Sequence, residues 1–222
     1  MKYFHRQVQL WGEETQRSLQ DKKIAIIGSG GLGSSLAFAL GASGIGEIHM
    51  VDFDEVSLHN IHRQIAFKTG DEGKNKAVIN CRIIEERCPY VKTVAHECDF
   101  DTFAAKGIAV DLIIDATDNL PTRAAINSYA RSVRTPWVYG SVEAFNGQVC
   151  FFEEASFEDV FKITQKTPAG IAAPIVMHIA SLQANLALRY LAGLTVKKDH
   201  LYYLFFNEEG ELMTQKFGLP KS

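Results

Sequence analysis

The 222-residue chain is 46% hydrophobic and 22% charged, with a formal net charge of −3. That is enough apolar material for the core of one domain, and it excludes bulk electrostatic attraction to nucleic acid or an anionic membrane. The four cysteines, Cys81, Cys88, Cys98 and Cys150, form no Cys-x-x-Cys pair, so the usual zinc and dithiol signatures are missing and buried reduced thiols are expected.

Residues Ile24 to Gly46 carry no charge and are numerous enough to cross a bilayer. Glycines and serines interrupt them and the apolar period changes from strand to helix, so no membrane span is expected. Met1 to Gln7 hold no apolar signal core, and the chain is expected in the cytoplasm.

In chain order, His5 to Gln20 set Val8, Trp11 and Leu19 among Arg6, Gln7, Glu13, Glu14 and Arg17. This uneven amphipathic pattern predicts an N-terminal helical arm over 1–20, interrupted near Gly12. The β-branched run Ile24-Ala-Ile-Ile27 then stops at Gly28-Ser-Gly-Gly-Leu-Gly33, after which Leu32, Leu36, Ala39 and Leu40 recur at helical spacing. A second apolar run, Ile48-His-Met-Val51, ends in Asp52 and Asp54 at the carboxyl edge of the next strand. Strand, glycine turn, helix, strand and acid make a nucleotide-binding βαβ unit. Gly28, Gly30, Gly31 and Gly33 let a phosphate or ribose approach the backbone. The helix N-terminus offers free N–H groups to an anion, and an acid about twenty residues on accepts from ribose hydroxyls.

Beyond Asp54 the stretch Glu55 to Phe67 is too polar for a core strand and too apolar for a free loop. A helix is expected from Lys76 to about Arg87, with Ala77, Val78, Cys81, Ile84 and Cys88 as its buried stripe and Pro89 as its stop. Val91 to Glu97 reads as a strand and Phe100 to Lys106 as a short helix. Val110 to Asn119 repeats the opening theme of an apolar strand with a polar end, and Pro121 starts a helix through about Ser132. Strands follow at Pro136 to Gly140 and Gly147 to Phe152. Glu153 to Ala172 has no convincing period and is expected to be a mobile crossing loop over 153–172. Ala173 to Leu191 is a long helix with Met177, Ile179, Leu182, Leu186 and Tyr190 as packing candidates, and Leu201 to Phe217 reads as a hairpin. The whole predicts one α/β domain over 1–222: a three-layer, Rossmann-like, mostly parallel sheet with an antiparallel C-terminal extension.

A dinucleotide dehydrogenase has no particular need for cations after its ribose acid, yet Asn60, Arg63 and Gln64 follow Asp52 closely and Lys76 opens the next helix. Phosphates account for such donors: Arg63 can grip oxygens bidentately and Lys76 supplies a point charge. Asp118 is placed to hold magnesium, which binds through few carboxylates plus phosphates and water. Plainer roles exist for each. Arg63 and Lys76 taken singly fit a solvated surface, Arg6 reads as a surface residue, Asp118 fits a helix cap, and His59 and His62 lack a ligand set.

Taken together, Arg6-Gln7, Gly28-Ser-Gly-Gly-Leu-Gly33, Asp52-Phe-Asp54, Asn60-Ile-His-Arg-Gln64, Lys76 and Ala116-Thr-Asp-Asn119 resemble the MoeB/ThiF/HesA family, prokaryotic relatives of ubiquitin-activating enzymes. The resemblance runs from the arm to the final hairpin. It implies ATP- and Mg2+-dependent adenylation of the C-terminal glycine of a small ubiquitin-like sulfur carrier, MoaD- or ThiS-like, in molybdopterin or thiamine synthesis. By motif it implies that Gly28, Gly30, Gly31 and Gly33 line the nucleotide and that Asp52 binds ribose with Asp54 close by. Asn60, Arg63, Gln64 and Lys76 would hold phosphates, Asp118 the magnesium, and Asn119 would lie beside the nucleotide. It also implies a homodimer in which Arg6 reaches the partner's ATP, against the surface reading of that residue. Departures are the absence of the two zinc-binding Cys-x-x-Cys pairs, so no zinc is expected, and Tyr3-Phe4 where the family usually has Arg-Tyr. The crossing loop also has no cysteine, which leaves sulfur delivery to another protein such as a sulfurtransferase. Rival readings are a dinucleotide-dependent oxidoreductase, adenylation of another acid, a peptide or a tRNA base by the same site, and a nucleotide-bound scaffold.

Overall fold

A computed structural model describes residues 2–162 and 170–221. The arm is helix α1 (His5–Ser18), broken at Gly12, whose φ of 85° is open to glycine at no steric cost. Strand β1 (Lys23–Ile27), helix α2 (Gly31–Leu40) and strand β2 (Glu47–Val51) form the opening βαβ unit. Helix α3 (Lys76–Arg87), strand β3 (Lys92–His96), helix α4 (Phe100–Ala104), strand β4 (Leu112–Asp115) and helix α5 (Leu120–Val133) follow. Strands β5 (Trp137–Glu143) and β6 (Asn146–Phe152), helix α6 (Ala173–Leu191), and strands β7 (His200–Phe206) and β8 (Leu212–Gly218) complete the described chain.

The strands form one sheet in the order β3-β2-β1-β4-β5-β6-β7-β8. The pairs from β3 through β5 are parallel and the last three pairs antiparallel, as the alternation of elements predicted. Strand order reverses direction between β1 and β4, and a crevice opens at such a point outside the carboxyl ends of the strands. The period-two pattern sets the layers. Ile24, Ile26, Ile48, Met50, Leu112 and Ile114 share one core with residues of α2, α3 and α6. Their neighbours Ala25, Ile27, Val51 and Ile113 share the other with Phe100 and Phe103 of α4 and Ile126 and Ala130 of α5. A slip of one residue in β1 would exchange the two sets.

Two expected stripes differ in detail. Val78 on α3 is exposed, and Ile79 and Asn80 are buried beside Ala77, Cys81 and Ile84. On α6 Met177 is exposed, while Ile175, Val176, Ile179, Ala180, Gln183, Ala184 and Ala187 are buried. Small residues are what allow α6 to lie close to α2. A Cβ on Gly31 of α2 would come 2.8 Å from the Val176 side chain. Cys81, Cys88 and Cys150 are buried, and burial pushes the Cys81 thiol up to about 11 and the Cys150 thiol upward too. Cys98 is only half-buried.

Between β2, β3 and the residues after α4 runs a polar chain whose two histidines are buried. Lys106 Nζ is 3.1 Å from His96 Nδ1, His96 Nε2 is 2.8 Å from His49 Nδ1, and His49 Nε2 is 2.8 Å from Glu47 Oε1. Lysine can only donate, so the order of partners assigns both imidazoles as neutral, each with its proton on Nε2. Burial lowers both histidines, His96 to about 4 with Lys106 adding to the effect.

Of the crossing loop expected over 153–172, residues 163–169 lie outside the described residues. Its start is held from two directions. The Asp199 carboxylate accepts from the N–H groups of Glu153, Glu154 and Ala155. Asn127 of α5 accepts from the Phe157 N–H and donates to Ser156 Oγ. At its end Gly170 and Ala172 exchange backbone hydrogen bonds with Ala144, a residue at φ 53°. Among the described residues no helix is long and apolar enough to cross a membrane.

Candidate functional site

A cleft of about 670 Å³ opens at the carboxyl ends of β1, β2 and β4, within the size range of small-molecule sites. Its floor is the turn after β1. Gly28 has φ 96°, and a Cβ there would press on the Ala116 carbonyl at the end of β4. Strands β1 and β4 can therefore lie this close only with glycine at that position. Gly33 is not on the cleft surface. It is buried in α2, where a Cβ would collide with the Gly28 carbonyl. Its role is to let helix and turn close on each other, while Gly28, Gly30 and Gly31 line the opening.

Asp52 stands at the end of β2. Its Oδ2 accepts from the Ser29 N–H at 2.6 Å and its Oδ1 from the Asp54 N–H at 2.8 Å. Burial pushes its carboxyl up, against the pull of those two N–H donors and of Lys76. The acid thus ties the glycine turn to the second strand and faces the cleft. Lys76 sits at the start of α3, which Asn75 caps by accepting from the Val78 N–H at 3.1 Å. Although Lys76 is only 5% exposed, its Nζ reaches the cleft and pairs with Asp54 Oδ2 at 2.9 Å.

The segment between Asp54 and Lys76 holds two short 3-10 turns, Leu58–Asn60 and Thr69–Asp71, and the first is followed by Arg63 and Gln64 on the cleft wall. Asn60 is buried and does not line the cleft; its Oδ1 accepts from Arg63 Nη2 at 3.1 Å and props the guanidinium. Gln64 is buried with Oε1 unpartnered, and its amide nitrogen would be 3.2 Å from a Cβ on Gly30. Its amide nitrogen, a donor, is the Gln64 atom that lies against the glycine cradle.

Asp118 and Asn119 lie on the opposite rim, after β4. The cap of α5 is Asn119, whose Oδ1 accepts from the Thr122 N–H at 2.9 Å, so Asp118 is not the cap. Asp118 is exposed and makes no hydrogen bond or ion pair among the described residues. Among those residues no three of His, Cys, Asp and Glu come together as a metal cluster. A single free carboxylate suits magnesium, which is bound through one or two carboxylates and substrate phosphates, and does not suit a structural zinc. Arg6 is exposed on α1, bonded to Gln9 Oε1 at 3.2 Å, and does not line the cleft of its own chain.

The cleft also contains residues that the motifs did not single out. Arg123 of α5 is 5% exposed and contributes to the wall, as do Ser141, Val142, Ile171 and Val176. A signal for Arg123 exists in the sequence. Arg123, Ile126, Asn127 and Ala130 make an i, i+3, i+4, i+7 stripe, so a charge and an amide stand on the helix face that packs inward. Val51, Phe53, Cys98, Asp99 and Phe100 close the end of the cleft beyond Asp52.

Strand order, glycine turn and switch-point cleft define a three-layer α/β domain built around one crevice. The ThiF family pattern matches residues 4–220, and the chain belongs to the ThiF family. It is 32% identical over 219 residues to the adenylyltransferase and sulfurtransferase MOCS3 of Caenorhabditis briggsae, covering 92% of this chain and 54% of that protein. It is 30% identical over 210 residues to the sulfur carrier protein adenylyltransferase of Thermus thermophilus, covering 86% of this chain and 78% of that protein. The chain thus spans about half the length of the MOCS3 relatives. In fold it is similar to E. coli MccB, whose crystal structure with ATP superposes with a TM-score of 0.84 at 20% identity over 98% of this chain and 71% of that one.

Proposed function

We propose that this chain is an adenylyltransferase that uses ATP and Mg2+ to activate the C-terminal glycine of a small ubiquitin-like sulfur carrier, MoaD- or ThiS-like, with release of pyrophosphate. The observation that carries this reading is the meeting of Asp52 with Arg63, Gln64 and Lys76 around one glycine cradle. A ribose acid alone fits any nucleotide. Two cations beside it, Arg63 and Lys76, fit a polyphosphate. The name of the Thermus relative, a sulfur carrier protein adenylyltransferase, supports the carrier as the acceptor.

On this reading Asp52 accepts from the ribose hydroxyls, and the Gly28 to Gly33 turn lets the phosphates approach the N-terminus of α2. Arg63 and Lys76 take up the charge that develops as the β- and γ-phosphates leave. Asp118 would hold magnesium, which supplies further neutralisation of the phosphate oxygens. The carrier carboxylate oxygen forms a bond to the α-phosphorus, the bond to the bridging oxygen breaks, and its electron pair departs on pyrophosphate. No side chain of the chain forms a covalent bond, so positioning and charge stabilisation carry the rate. The exposed position of Arg6 on the arm supports a homodimer in which it serves the partner's cleft, and sulfur delivery falls to a separate sulfurtransferase.

The test is ATP–pyrophosphate exchange with a panel of carriers ending in Gly-Gly. Exchange with one of them is the expected result. Absence of exchange with every carrier, under conditions where ATP binds, would overturn the carrier reading.

A further inference from the structure

Behind the Asp118 rim, Asp115 and Arg123 form an ion pair that is closed to solvent, Asp115 fully and Arg123 to 5%. Arg123 Nε donates to Asp115 Oδ2 at 3.1 Å. Arg123 Nη2 donates to the Thr117 carbonyl at 2.6 Å and to the Gly140 carbonyl at 3.1 Å, and Nη1 reaches Ser141 Oγ at 3.4 Å. The face of the guanidinium lies over Tyr139, 5.2 Å from the ring centre. Asp115 Oδ1 accepts in turn from the N–H and the hydroxyl of Thr117, at 2.9 and 2.6 Å.

A buried pair of this kind is a poor device for stability, because desolvation offsets its attraction and apolar replacements often do as well. What it holds is more informative. One set of bonds fixes the peptide groups on both sides of Thr117, immediately before Asp118. The other set reaches Gly140 and Ser141 in the middle of β5, on the far wall of the same cleft. Asp118 itself, bonded to nothing among the described residues, takes its direction from this backbone.

We infer that Arg123 is a positioning residue: with Asp115 it locks the turn that carries Asp118 to the middle of β5, and so aims the Asp118 carboxylate at a magnesium ion on the bound polyphosphate. The inference rests on the adenylation reading for its nucleotide and its metal. The partners that orient a metal-binding group, when removed, typically cost about 10- to 100-fold in metal-dependent function.

The test is the affinity of the chain for ATP, measured by calorimetry with Mg2+ and again with EDTA, for the wild type, Arg123→Lys and Arg123→Gln. The inference expects the variants to lose about 10-fold or more with Mg2+ beyond whatever they lose in EDTA. A merely structural role would lower both affinities alike, and that outcome overturns the inference, as does unchanged affinity in both conditions. If the single variants fail to fold, the double variant Asp115→Leu/Arg123→Met keeps an apolar interior without the brace and is read in the same way. A wild type that binds ATP with no dependence on Mg2+ overturns the inference alone. A wild type that binds no ATP in either condition overturns the adenylation reading and this inference with it.

Discussion

At the scale of single residues, the cleft is assembled from side chains whose burial and partners differ according to their task. Asn60 and Arg63 illustrate the division: both belong to one motif, yet Asn60 turns inward to prop Arg63, which faces the cleft. The motif was legible as a unit in the sequence, whereas the split of roles within it was not, because it depends on which way the 3-10 turn Leu58–Asn60 rotates each side chain. Lys76→Met removes the ammonium while keeping most of the buried stem. Loss of one preorganised charge aimed at a leaving group costs about 10²- to 10³-fold in turnover. Pyrophosphate exchange by Lys76→Met is expected to fall by that factor, with thermal unfolding close to wild type. Exchange at the wild-type rate would remove Lys76 from the site.

At the scale of elements, strands and helices were readable wherever one apolar period runs unbroken, as in Ile24 to Ile27 and Ala173 to Leu191. The contacts that tie elements together were not readable, since they join residues distant in sequence. Asp199 meets the N–H groups of 153–155, and Asn127 meets residues 156 and 157. Arg123 escaped for the same reason, as its partners Asp115, Thr117, Gly140 and Ser141 come from two different segments. Helix α5 thereby does two jobs on one face: Arg123 braces the Asp118 turn, and one helical turn later Asn127 holds the start of the crossing loop. Asn127→Ala leaves the buried Phe157 N–H without its acceptor, at a cost of about 1–3 kcal/mol. The variant is expected to unfold at lower urea while ATP affinity, set by residues elsewhere, stays at the wild-type value. Equal losses in both would show that loop anchoring and nucleotide cleft are one cooperative unit.

At the scale of the whole molecule, pH and association are the two levers. His96 is held neutral between Lys106 and His49, with its pKa lowered to about 4. In the unfolded chain a histidine titrates near ~6.5. Below that value the unfolded state takes up a proton that the folded state refuses. The histidine therefore costs no stability above about pH 6.5, and stability falls as the pH drops from there toward 4, by at most about 1.4 kcal/mol per pH unit. Urea unfolding at pH 7.5 and 5.5 checks this, and His96→Gln is expected to flatten the difference. Association is tested by mixing. If Arg6 serves the neighbouring cleft, a mixed dimer of Arg6→Ala and Lys76→Met chains regains one intact site. Recovery of exchange on co-assembly is expected, and mixed dimers that stay inactive would confine Arg6 to a local role on the arm.

The pair between Lys76 and Asp54 gives this molecule a resting state of its own. Its buried ammonium is never a bare charge waiting in a cleft; it already has an anion at 2.9 Å. If the proposed adenylation holds, a polyphosphate at Lys76 meets an ammonium already paired with Asp54, whose side chain is more than half exposed and free to turn out toward water. The energy of binding at this point is the difference between two ion pairs, smaller than either. On the same reading Asp54 would have a part in letting go, since its return to Lys76 would compete with a departing phosphate for the ammonium's protons.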